Sequence, residues 1–223
     1  LNQANVLAHF SHAGVDDMAD NTCHFGINNF FADNGLAEGD TTRLYFPADA
    51  MQLKAMLPTV FNAPGLRFIF STRSATPFIE TAEGTRFFDG KYTFEPGRDE
   101  IIREGGAGYV VSYGEMLYRC LDAVEQLRKE GIDVGLINKP TLNVIDTDML
   151  RVAGSSPFVL VVESQSTKSG LGSRYGTWLL ENGYSPRYGA LGTSREGRGG
   201  LGEQVVYQGC DPAGIRAKIN ELL

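Results

Sequence analysis

An α/β fold built on parallel sheets is what this chain of 223 residues predicts. Three observations lead there. Short apolar runs alternate with amphipathic stretches at helical spacing, the grammar of crossover helices laid over parallel strands. The run Phe158-Val159-Leu160-Val161-Val162 is apolar without interruption, as a strand buried on both faces must be. No internal repeat or low-complexity tract competes with that pattern.

The elements follow in order. Asn5-Val6-Leu7-Ala8-His9-Phe10 reads as a strand, and residues 25–31 as one or two helical turns. A strand over 42–46 ends at Pro47. Asp49 is positioned to cap a helix over 50–61, in which Met51, Leu53, Met56, Leu57 and Val60 recur at near-helical spacing. Pro58 marks a place where that helix can end early. Leu66 to Ser71 is a buried strand. Residues 80–107 are polar and glycine-rich and read mostly as a connection, with Phe87, Phe88, Tyr92 and Phe94 packing on a surface. A strand over 108–112, a helix from Met116 to about Gly131 and a strand over 134–137 form a second α/β unit. Asp146 or Thr147 caps a helix carrying Met149, Leu150 and Val152. Gly170-Leu171-Gly172 leads into a helix through Trp178 and Leu180. Asp211-Pro212 opens the final helix, as proline at a first helical position does.

Bulk numbers narrow the function classes. A net charge of −7 argues against a general binder of nucleic acid or anionic membrane, and no apolar run is long enough to span a bilayer. Cys23, Cys120 and Cys210 are odd in number and widely spaced, which predicts reduced thiols and a cytoplasmic location. No signal peptide is visible. The chain starts at Leu1 and enters a strand almost at once, so further residues are expected upstream. Neither Gly170-Leu171-Gly172 nor the run from Gly192 to Gly200 completes a phosphate-binding fingerprint, and both read as turns or mobile loops.

All the histidines, His9, His12 and His24, fall in the first 24 residues, with Asp16, Asp17 and Asp20 between the last two. Imidazoles titrate closest to neutral pH, and carboxylates orient them or accept hydroxyls, so this cluster suits proton handling. It follows a strand, where open α/β sheets bind ligands. A metal site or an idle polar loop remains an alternative on the residues alone; the spacing matches no metal-ligand motif, and none is assigned. Cys23 beside His24 has no partner arrangement that would make it a nucleophile.

The order of parts resembles the C-terminal section of the transketolase family, above all the separately encoded section of two-chain bacterial members. That family carries Thr-His, then Asp-Gly, then Thr/Ser-His-Gln, with the histidines twelve positions apart. Here His12 and His24 keep that separation, and Asp20 stands at the family's Asp. Phe46-Pro47-Ala48-Asp49-Ala50 is similar to its Arg-Pro-Ala-Asp-Ala, and Thr72-Arg73-Ser74 to its Ser-Arg-Gln. Tyr92 to Gly97, Arg103-Glu104-Gly105, Tyr113-Gly114, Glu130 to Val134, Ile137-Asn138, Ile145-Asp146, Glu163 and Gly170 to Ser173 follow the family order. The loop also departs from the pattern: Asp16, Met18 and Asn21 replace glycines, Cys23 a Ser/Thr, Phe25 a Gln and Phe46 an Arg. The donor and acceptor sugars are left open.

The resemblance implies a partial thiamin-diphosphate pyrimidine-binding domain over 1–80, a connection over 81–104 and a three-layer α/β transketolase C-terminal domain over 105–223. It implies thiamin diphosphate as cofactor, with Mg2+ or Ca2+ held by an N-terminal diphosphate-binding subunit or domain, and an activating Glu upstream of Leu1. The implied reaction moves a two-carbon ketol unit from a ketose phosphate to an aldose phosphate within a homo- or hetero-oligomer. His12 and His24 would be catalytic, and Asp20 and Arg73 would bind the sugar phosphate. Rival readings are the β subunit of a 2-oxo-acid dehydrogenase, a deoxyxylulose-phosphate synthase, and a non-catalytic assembly protein that keeps the fold.

Overall fold

A computed structural model of the chain describes residues 5–11, 13–15, 30, 31, 33, 41–72, 74–197 and 203–223. Two sheets organise them. The first joins β1 (Val6–Phe10), β2 (Arg43–Tyr45) and β3 (Leu66–Phe70) in the order β1-β3-β2, all parallel. Between β2 and β3 runs α1 (Ala50–Asn62). Asp49 caps it as expected, its Oδ1 accepting the amides of Met51 at 2.8 Å and Gln52 at 2.9 Å. Pro58 does not stop this helix. Met56 and Val60 are buried against Tyr45 and Ile69, and that apolar face holds the last turn together. The helix end is also closed from the sheet. Arg67 of β3, itself buried, donates to the carbonyls of Val60 at 3.1 Å and Phe61 at 3.0 Å.

The second sheet holds β4 (Glu100–Arg103), β5 (Gly108–Ser112), β6 (Val134–Asn138), β7 (Phe158–Ser166) and β8 (Arg187–Thr193). Their order is β4-β6-β5-β7-β8, with β4 antiparallel to β6 and the remaining pairs parallel. Helices α2 (Leu117–Lys129), α3 (Thr147–Gly154), α4 (Leu171–Glu181), α5 (Glu203–Gln208) and α6 (Pro212–Asn220) accompany it. A 3-10 turn over Gly114–Met116 leads into α2. Strand alternation sorts the core into two layers. Val110, Leu160 and Val162 pack with Cys120 and Val124 of α2 and with Ile215 and Ile219 of α6. Val111, Val159 and Val161 pack with Leu150 of α3 and with Tyr175 and Leu179 of α4. Each such side chain contributes about 1.5–3 kcal/mol by leaving water. Among the described residues no helix is long and apolar enough to cross a membrane.

The stretch expected to connect two units does more than connect. It supplies β4, so the second sheet begins inside residues 81–104. The sheets are joined directly as well. Phe46 donates its amide to the Pro140 carbonyl at 2.8 Å, and Leu142 donates to Leu44 at 2.8 Å. Asn143 brackets β2 from its side chain, accepting from Leu44 N–H and donating to Thr42 O.

A polar cluster completes the joint. Glu100 of β4 accepts hydrogen bonds from Tyr92 Oη at 2.5 Å and Asn138 Nδ2 at 2.8 Å, and Gln52 of α1 approaches at 3.4 Å. Burial pushes its carboxyl up to about 8, against the pull of the Tyr92 and Asn138 hydrogen bonds. Glu163 and Asp99 are pushed up to about 7, again chiefly by burial. A carboxyl that holds its proton more tightly when folded adds stability below its unfolded value near 4.5 and loses it as pH rises through the folded value. The urea midpoint is therefore expected to fall between pH 5 and 8. Glu100→Gln, which keeps the oxygen acceptor without the charge, should flatten the part of that fall above pH 7; an unchanged slope would contradict the assignment.

Candidate active site at the strand ends

Because β1, β3 and β2 are parallel, the segments that leave their C-terminal ends emerge on one edge of the sheet. The backbone ladder continues beyond the strands. Ser71 donates its amide to Phe10 O at 2.9 Å, and Ala13 donates to Ser71 O at 3.0 Å. His9 Nε2 and Ser71 Oγ are 2.8 Å apart, a side-chain rung over the same two segments. His9, Phe10 and Ala13 are thereby held beside Ser71. Asp49 fastens the third segment: its Oδ2 accepts the amide of Ile79 at 2.9 Å while its Oδ1 caps α1.

The segments that follow β2 and β3, with Glu115, line a cavity of about 300 Å³, among them Pro47, Asp49, Ser71, Thr72 and Thr76. Hydroxyls and carboxylates dominate its polar lining, which suits a ligand rich in hydroxyl groups. A larger cavity, about 730 Å³, opens elsewhere beside Phe87, Tyr92, Asp99, Glu100 and Asp146. Two of its carboxylates are committed to the framework. Asp99 pairs with Lys139, and Asp146 caps α3 and accepts the amide of Asp99.

Of the residues singled out from sequence, His12, Asp20, His24 and Arg73 lie outside the described residues, as do Cys23 and most of the turns expected over 25–31. Their described neighbours Ser11, Ala13, Thr72 and Ser74 flank the hydrogen bonds just given. Among the described residues no group of three or more His, Cys, Asp or Glu side chains is placed to hold a metal ion.

Two groups were not singled out. Glu115 follows β5 and Ser164 lies near the end of β7, and both are buried. Gly14, at φ +126°, brings the first sheet's loop onto them: a Cβ there would stand 2.0 Å from Glu115 Oε1 and 2.7 Å from Ser164 Oγ. The signal available in sequence was a lone carboxylate directly after a buried strand and its Gly114 turn.

Glu163 has a different task. It accepts the amides of Leu171 at 2.8 Å and Gly172 at 2.9 Å and the hydroxyl of Tyr113 at 2.9 Å. A Cβ at Gly170 would lie 2.0 Å from its carboxylate. The glycines of this run thus let the start of α4 close on a carboxylate of the chain itself, where a phosphate loop would take its ligand.

Parallel sheets with a polar cavity outside the strand ends define an α/β protein of the kind that handles small ligands. Comparison narrows the class. Residues 97–191 match the family model described as "Transketolase, C-terminal domain". An apulose-4-phosphate transketolase subunit of Actinobacillus succinogenes is 31% identical, over 63% of this chain and 43% of that protein. A putative transketolase C-terminal section of Methanocaldococcus jannaschii is 27% identical, over 78% of this chain and 54% of that protein. A 1-deoxy-D-xylulose-5-phosphate synthase of Desulfitobacterium hafniense is 29% identical, over 78% of this chain and 26% of that protein. The structure described as "Split gene transketolase, inactive beta4 tetramer" superposes with a TM-score of 0.73 at 22% identity, covering 97% of this chain and 65% of that one.

Residues 97–191 thus match a transketolase C-terminal domain, and the fold of the chain is similar to that of the split-gene transketolase. The chain spans about half or less of the length of these curated relatives.

Proposed function

We propose that this chain is the C-terminal part of a thiamin-diphosphate-dependent, transketolase-like enzyme. It would move a two-carbon ketol unit from a ketose phosphate to an aldose phosphate, and work only with an N-terminal diphosphate-binding part or subunit. Residues 1–80 would be the partial pyrimidine-binding domain and 105–223 the bulk of the C-terminal domain, with 81–104 connecting them and adding β4 to the second sheet. One observation supports this most: the Ala13–Ser71 hydrogen bond ties the segment containing His12 to the segment leading to Arg73, at the mouth of a hydroxyl-lined cavity.

The described residues suit the cofactor and its substrates on chemical grounds. Phe10 and Phe31, both exposed and edge to face at 5.9 Å, offer an aromatic wall beside the strand ends for a flat heterocycle. The cavity offers acceptors and donors for sugar hydroxyls. When bound, thiamin diphosphate would supply the electron sink for breaking and remaking a carbon–carbon bond. His12 and His24 would hold the sugar's carbonyl and hydroxyl oxygens and carry protons among them. Asp20 would accept a hydrogen bond from a hydroxyl, and Arg73 would grip the distal phosphate through a bidentate, charge-assisted pair. The Mg2+ or Ca2+ that accompanies the diphosphate would belong to the partner part.

A second reading has support in the Desulfitobacterium hafniense relative named 1-deoxy-D-xylulose-5-phosphate synthase, which matches over 78% of this chain against 63% for the apulose-phosphate relative. Calorimetric titration of thiamin diphosphate with Mg2+ into the full chain, alone and assembled with an N-terminal partner, tests both readings. Binding only in the assembly, followed by two-carbon transfer between sugar phosphates, is the expected result. Binding with consumption of pyruvate instead would favour the synthase, and no binding in either case would favour a non-catalytic assembly role.

A further inference from the structure

In the second sheet the chain leaves β5 toward β6 on one side, while β7 lies on the other, so the strand order reverses between β5 and β7. A crevice outside the strand ends at such a reversal is where open α/β sheets take a ligand. Two buried polar side chains stand there, Glu115 in the turn after β5 and Ser164 near the end of β7. What lies against them is the chain's own backbone. A Cβ on Gly14 would stand 2.0 Å from Glu115 Oε1 and 2.7 Å from Ser164 Oγ, and the residue has φ +126°, so glycine is required on both counts. The residues on either side of it part ways. Ala13 is buried in the cluster that holds Phe46, Phe70, Tyr113 and Val161, and Val15 in the one that holds Ile79, Met116 and Val162. Val161 and Val162 alternate along β7, so these clusters cover opposite faces of the second sheet. Residues 13–15 therefore sit astride the end of that sheet, with Gly14 crossing between β5 and β7.

We propose that this crevice is a socket for the chain's own loop. The second sheet takes residues 13–15 where other open α/β sheets take a small molecule, and the loop can leave the socket without the sheet coming apart. The fit is chemical as well as steric. Ala-Gly-Val is narrow at its centre and apolar at both ends, and the slot has two polar groups at its middle with an apolar layer on each side. Arg119 of α2 donates to the Glu115 carbonyl at 3.2 Å, which pins the turn that carries the carboxylate. The loop is tied to the first sheet at the same place. Ala13 donates its amide to Ser71 O at 3.0 Å, and Ser71 lines the strand-end cavity together with Thr72 and Glu115. Lifting residues 13–15 therefore breaks the bond that ties the cavity to the second sheet. That the socket serves a sugar-phosphate site rests on the proposed function; that it holds the loop does not.

Amide hydrogen exchange in the full chain, read residue by residue by NMR, tests the socket. The Ala13 amide reports the loop. Val161, in a strand paired on both sides, reports the second sheet. In the wild type Ala13 exchange should be nearly independent of low urea concentrations, the mark of local opening, while Val161 exchange should rise steeply with urea. A shared slope would mean that the loop opens only when the sheet unfolds, and would overturn the proposal. Gly14→Ala adds a Cβ that cannot share the space with Glu115 and Ser164. In that variant Ala13 should exchange within about tenfold of an unstructured amide, while Val161 stays protected by at least about a hundredfold. An Ala13 amide as protected as in the wild type would overturn the socket. Should Gly14→Ala not fold, the wild-type slopes decide alone. No substrate is present in either measurement, so failed two-carbon transfer in the assembled enzyme would leave the socket standing. A shared slope would in turn leave the transferase reading untouched.

Discussion

Lys139→Met is expected to destabilise the chain by about 3–5 kcal/mol, because it leaves a carboxylate buried without its cation. Lys139 Nζ lies 3.2 Å and 3.3 Å from the two oxygens of Asp99 and donates to Val144 O at 2.6 Å. Both side chains are 1% exposed, so water cannot substitute for the lost ammonium. Asp99 is already pushed up to about 7, burial outweighing the attraction of Lys139, which shows how costly its charge is in place. The pair is thus expected to be nearly neutral as a unit and severe to halve. Lys139→Met combined with Asp99→Asn should recover most of the loss. The sole tryptophan, Trp178, has its ring 5.5 Å from Lys139 Nζ, so its fluorescence reports unfolding from beside the pair. A single-variant loss under about 1 kcal/mol would mean that water or another group reaches Asp99. Lys139 precedes Pro140 to Asn143, the segment that pairs with β2 and joins the two sheets.

Wherever periodicity or a cap carried the information, the fold was legible. The capped helix after Asp49, the buried strand at Phe158 and the proline-led helix after Asp211 all stand where sequence placed them. The misses share a physical cause. β8 contains Gly189 and Gly192, which a reading of strand propensity marks as breaks. Gly192 is required by its neighbours, since a Cβ there would come within 2.6 Å of the Gln165 carbonyl, while at Gly189 a Cβ would press on Leu222 at 3.1 Å. β4 carries Glu100 and Arg103, charges typical of a loop; their partners Asn138 and Glu125 come from β6 and α2, which local sequence does not reveal. The candidate site divides the same way. Residue types and spacing drew attention to the loop with the histidines, because chemistry-bearing residues were concentrated there. Glu115 was passed over because its relation to Gly14 crosses about a hundred residues and two sheets.

His24→Ala should lower two-carbon transfer by about a hundredfold in the assembled enzyme, the ordinary scale for loss of a positioned acid–base group. That corresponds to about 2.7 kcal/mol of barrier. A proton-transfer role makes a sharper demand than the size of the drop. kcat should carry nearly all of it, since a group that acts on the moving proton is felt in the transition state more than in the bound substrate. A histidine that only held a sugar hydroxyl would raise KM instead. His24→Gln separates these further, because an amide can still hydrogen-bond a hydroxyl but cannot exchange protons near neutral pH. It should leave kcat as low as in His24→Ala, with KM near the wild-type value in both variants. The urea midpoint of both variants should match the wild type, so that neither result is a folding defect. Turnover within twofold of wild type would remove His24 from the chemistry, whatever His12 proves to do.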